Sequence, residues 1–112
     1  MTFPIDQVEE LKRLFGNVQA AEEGGVTYFL IPALALPAGC TPSNVDALLC
    51  PTKRDGYHSR LFFAERIQST IQQNWNANGV RIIERNWYAF SWKVPENLRL
   101  AQIVCVHLRG LR

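Results

Sequence analysis

Three cysteines, two histidines and a scatter of hydroxyl side chains are the groups in this 112-residue chain that could act as nucleophiles, bases or soft metal ligands. Cys50 closes the apolar run Val45–Cys50 and reads as a small hydrophobe in a buried strand rather than as a thiolate. Cys105 falls on the apolar face of the last expected helix and reads the same way. Cys40 lies in the loop AGCTPSN, where exposure is expected but no base stands beside it in sequence. His58 and His107 are far apart, with no cysteine or carboxylate at ligand spacing, so no metal site is expected. There is no glycine-rich phosphate loop, which argues against ATP hydrolysis by the chain itself. No cofactor is expected. Tyr57, in the polar stretch Pro51–Arg60, brings a ring that can pack and a hydroxyl that can bond.

These groups are carried on a recognisable succession of elements. Asp6 with Glu9 reads as a capping box. Ile5, Val8, Leu11, Leu14 and Phe15 recur at helical spacing, with Gly16 as a stop. Asn17–Ala21 suits a first strand, Gly24-Gly25 a hairpin turn, and Val26–Ile31 a central strand. Pro32 and Pro37 should interrupt that strand or leave it as an edge. Val45–Cys50 and Leu61–Ala64 are two further strands, joined through the loop that holds Gly56 and Tyr57. Glu65–Asn78 is polar, and Ile67, Ile71 and Trp75 at spacing four allow a helical turn or two. Asn78-Gly79 is a turn signal, and Val80–Ile83 suits a short extended piece. NWYAFSW, Asn86–Trp92, is dense in aromatics without a clear period. Pro95 and Glu96 suit a helix start, with Leu98, Ala101, Cys105 and Leu108 on one face, although the run Ile103–Val106 would also suit a strand. The fold class is therefore α+β: an N-terminal helix, a four-stranded antiparallel meander and a C-terminal helix, in one domain.

Composition narrows the function. The 47% hydrophobic and 20% charged content is that of an ordinary globular domain. No apolar run approaches the roughly 18 residues of a bilayer span, so no membrane partner is expected. MTFPIDQVEELKR has no basic segment leading into an apolar one, so no secretory signal is expected. An odd number of cysteines without framework spacing suits free thiols and a cytoplasmic location. Residues 1–46 hold six acids and two bases, whereas residues 47–112 hold four acids and ten bases. Such a split can prepare a basic face. The bases are scattered, though, so a solvated surface accounts for them better than a nucleic-acid site does.

Leu36-Pro37, VDALL at Val45–Leu49 and GYHSRLFF at Gly56–Phe63, taken in this order, resemble the ubiquitin-conjugating-enzyme (UBC) superfamily. The likeness is to a bacterial branch found beside ubiquitin-like modifiers, activating enzymes and JAB-type peptidases, and it resumes at Trp87–Ser91 and the final helix. The resemblance implies a UBC-like fold and a place in a ubiquitin-like conjugation pathway. The modifier and its activating enzyme would then be partners, a JAB-type peptidase a further one, and antiviral defence the setting. Tyr57 matches the tyrosine of the superfamily's Tyr-Pro turn, with His58 in place of the proline. In the superfamily the modifier is held as a thioester on a cysteine between the fourth strand and the next helix. Here that interval, Glu65–Val94, holds neither cysteine nor histidine. Ser91 lies within it, and an ester on Ser91 could replace the thioester if a base removed its proton. Ser69 and Thr70 are weaker alternatives for that role. The first helix, Tyr57, His58 and Trp92 are the expected docking residues, with Trp75 and Trp92 the aromatics expected at the surface. A binding module with no covalent step is the alternative.

Overall fold

The computed structural model describes residues 3–112. Helix α1 spans Ile5–Phe15 and helix α2 spans Leu100–Arg109. Between them run β1 (Gln19–Glu23), β2 (Val26–Ala35), β3 (Asn44–Cys50), β4 (Arg60–Phe63), β5 (Trp75–Ile82) and β6 (Arg85–Phe90). All six strands form one antiparallel sheet in the order β1-β2-β3-β4-β6-β5. The sheet therefore has six strands, not the expected four-stranded meander. The difference is the hairpin β5–β6, which adds beside β4 through the pairing of Phe63 with Tyr88. Its first strand takes in the end of the polar stretch Glu65–Asn78, where no helical turn forms, and most of the extended piece Val80–Ile83. Register shifts at Trp75/Ala77 and Asn78/Val80 break its period of two, and Gly79 takes up φ 71° at the second. Asn78-Gly79 is thus a bulge inside a strand rather than a turn.

Sequence chemistry explains the other elements. Gly24 and Gly25, at φ 60° and 79°, close the β1–β2 hairpin in two residues, the left-handed geometry such turns need. β2 runs on through Pro32, past the point where β1 stops pairing at Leu30. A register shift between Ile31 and Leu34 absorbs the proline, and Ala33, at φ 49°, donates its N–H to Asp46 Oδ1 at 2.9 Å. The expected capping box of α1 does not form. Pro4 precedes the helix, and Asp6, inside the first turn, receives Arg99 Nη2 at 3.1 Å instead. α2 begins at Leu100, five residues beyond Pro95, with the Arg99 N–H donated to Gln102 Oε1 at 2.9 Å. The buried face is also different: Leu100, Ala101, Ile103, Val104 and His107 are buried, and Cys105 is exposed rather than packed.

Alternation along the strands gives the sheet two apolar faces. On one, Phe29, Ile31, Leu49, Leu61 and Phe63 pack with Leu11 of α1 and the buried face of α2. On the other, Tyr28, Leu48, Cys50, Phe62, Ile82 and Trp87 form a second core that includes no helical residue. Tyr28 is 2% exposed and Trp87 1%, so the curled sheet covers this face itself. Its hairpin tips meet where the Ile83 N–H donates to Glu23 Oε1 at 3.0 Å, and Arg85 reaches Asp46 at 3.2 Å.

Candidate functional site

The site is built around the connection from β3 to β4. Arg54 and Tyr57 exchange both backbone hydrogen bonds at 2.9 Å across Asp55-Gly56, whose φ angles are 55° and 85°. This is the Asp-Gly two-residue turn, in which glycine accepts a left-handed backbone at no steric cost. It fixes Tyr57 against the start of β4, where Arg60 is only 3% exposed. The buried guanidinium is well partnered: it donates to Asp55 Oδ2 at 3.1 Å, to Asn76 Oδ1 and to the Phe90 carbonyl at 3.3 Å. It also stacks 4.6 Å from the centre of the Tyr57 ring. A buried cation needs such partners to offset its lost hydration.

Two residues from the β5–β6 hairpin complete the cluster. Asn76 on β5 has its amide oxygen engaged by Arg60, which leaves its NH2 facing Tyr57; Nδ2 donates to the phenol oxygen at 3.0 Å. Ser91 follows the last residue of β6 and is anchored by its N–H to the Asn74 carbonyl at 2.8 Å. Its Oγ lies 2.7 Å from the Tyr57 hydroxyl, joining residues 34 apart in sequence. The hydrogen bond to Ser91 lowers the phenol's pKa, assisted by Asn76 and the Arg60 charge and opposed by burial and Asp55. Tyr57 forms one wall of an open cleft of about 440 Å³, lined also by Asp55, Gly56, His58, Lys93 and Val94.

Tyr57 and Ser91, chosen from sequence, are thus brought together, while the other expected residues lie apart from the pair. His58 lines the same cleft but turns to Glu96, with Nδ1 and Oε1 3.1 Å apart. Trp92 donates Nε1–H to the Val106 carbonyl at 3.0 Å and packs edge-on against Phe90, so α2 holds it half-buried. Trp75 is likewise half-buried, against Phe63 and Phe90. Ser69 bonds the Ile71 carbonyl two residues on. Cys40 is buried rather than exposed, with its thiol 3.8 Å from the Leu111 carbonyl, and burial raises its pKa. Burial also raises that of Cys50, against weaker lowering by its bonds to Thr52.

Arg60 and Asn76 were not legible as site residues. The only signal for Arg60 was a base directly before the apolar run Leu61–Phe63; Asn76 was hidden in a polar stretch. Behind the site, Ser59 and His107 form a second polar pair, Oγ to Nε2 at 3.3 Å, with each residue 3% exposed. Burial and the nearby Arg60 charge push His107 down to about 4, so it is neutral near pH 7.

Among the described residues no cluster of His, Cys, Asp or Glu could hold a metal ion, and no helix is long and apolar enough to cross a membrane. The chain matches no family model, no curated protein and no solved structure. Chemically, the arrangement offers a serine hydroxyl against a cation-backed phenol at the rim of an open cleft.

Proposed function

We propose that this chain is a conjugating-enzyme-like component of a bacterial ubiquitin-like conjugation pathway, carrying the modifier as an ester on Ser91. The supporting observation is the Tyr57–Ser91 hydroxyl pair at 2.7 Å beside an open cleft. A serine hydroxyl is a weak nucleophile near neutral pH and needs a proton acceptor within hydrogen-bond reach. The ordered likeness of Leu36-Pro37, Val45–Leu49 and Gly56–Phe63 to the UBC superfamily supplies the pathway. The test is reconstitution with a bacterial activating enzyme, ATP and its modifier, read by intact-protein mass. An adduct that maps to Ser91, is cleaved by hydroxylamine and is lost in Ser91→Ala is the expected result. An adduct unchanged in Ser91→Ala would exclude that role.

A second reading, non-covalent positioning of the modifier, is favoured by the burial that raises the pKa of the Cys40 and Cys50 thiols. It predicts a stable complex with modifier by gel filtration and no added mass.

A further inference from the structure

We propose that Tyr57 is the general base for Ser91, with Arg60 and Asn76 as the positioning residues that hold its phenolate; this rests on the carrier reading above. In the step, Ser91 Oγ attacks the carbonyl carbon of a thioester formed by the modifier's C-terminal carboxyl group. Its proton passes to the Tyr57 oxygen as the new C–O bond forms. The C–S bond breaks, the departing thiolate takes the proton from Tyr57, and the phenolate is restored. Atoms and charge balance without any oxidant, metal or further reactant.

Three features carry the assignment. The phenol oxygen is the group hydrogen-bonded to Ser91 Oγ, at 2.7 Å, within the reach a base requires. Arg60 fixes the orientation of Asn76: because the guanidinium takes the amide oxygen, only the NH2 is left for Tyr57, and a donor on that oxygen favours its ionised form. The same guanidinium lies 4.6 Å from the ring centre, placing a positive charge beside the phenolate while being itself shielded from water. Of the other charged or titratable groups near the ring, Asp55 opposes ionisation but is occupied by Arg60 and lies 3.7 Å from Arg54 Nε. His58 is paired with Glu96, and Lys93, from the segment after β6, lines the cleft as a further cation. The Asn76 amide and the Arg60 charge both favour the anion, and Ser91 Oγ is the hydroxyl within its reach.

The experiment uses the isolated full chain. Ultraviolet difference titration of wild type against Tyr57→Phe reads the phenolate of this one residue. It should ionise at lower pH than Tyr28, whose burial raises its pKa, and Asn76→Ala should move its midpoint up. A fluorophosphonate probe should label Ser91, mapped by peptide mass. Labelling should accelerate with the same midpoint as the phenolate and slow at least about a hundredfold in Tyr57→Phe. Ser91 labelling that is unchanged in Tyr57→Phe, or that follows a different midpoint, would overturn the base assignment and leave the ester on Ser91 standing. No labelling of Ser91 in wild type would overturn the base assignment as well. The carrier reading falls only if reconstitution with the thioester also leaves Ser91 unmodified.

Discussion

Ser59 and Arg60 are neighbours in sequence, yet each belongs to a different polar cluster, and the two clusters are opposites. Ser59 meets His107 of α2 where both are buried and the imidazole is kept neutral. Arg60 is as deeply buried but carries a guanidinium, which proteins do not deprotonate; Asp55, Asn76, the Phe90 carbonyl and the Tyr57 ring surround it, and its network opens onto a cleft. Burial alone does not decide whether a group keeps its charge. The basicity of the side chain decides it, and a group that cannot shed its proton has to be given partners.

The largest effect should come from removing the cation. Arg60→Ala leaves the Phe90 carbonyl without this donor and frees Asn76 and Tyr57. It should cost about 3 kcal/mol, seen as a lower urea midpoint at unchanged slope. Next is acid. His107 binds its proton at about 4 when folded, against 6.5 for its ordinary value. Below pH 6.5 the unfolded chain therefore takes up more protons than the folded one, and stability falls as pH drops from 6.5 towards 4. The loss should reach on the order of 3 kcal/mol, and His107→Leu should flatten that part of the stability–pH curve. Tyr57→Phe removes one half-exposed hydroxyl and should cost about 1 kcal/mol, so a large drop in its melting temperature would mean that the open cluster is structural. The smallest change belongs to His58→Ala. Its partner Glu96 is 64% exposed, and denaturation should move by less than about 0.5 kcal/mol.

Local chemistry decided what could be read from the sequence. α1, the Gly24-Gly25 hairpin and the strands β2, β3 and β4 carry their own signals in periodicity, glycine pairs and β-branched runs. In the β5–β6 hairpin only Val80–Ile83 reads as extended. Its first strand is polar and bulged, and its turn is Ile83-Glu84, held at φ 47° and 62° without a glycine or asparagine. An isoleucine rarely adopts that conformation, and the Glu23 carboxylate on the Ile83 amide, sixty residues away in sequence, helps to hold it. Tertiary contact thus overrides local preference there. The same gap hid half of the site: Tyr57 and Ser91 could be named from motif order, but the pairing of Asn76 with Arg60 exists only once β5 has formed.

The meeting of the two hairpin tips also bears on how the chain folds. Glu23 and Ile83 lie on opposite sides, in sequence, of the strands β2 to β4, and their contact closes the second core over Tyr28, Leu48 and Trp87. Such a closure depends on distant parts of the chain and must follow slow, non-local strand pairing. It also binds the first and last hairpins into one cooperative unit. Amide protons of β1 and β5, though both strands lie at sheet edges, should exchange together rather than fray independently.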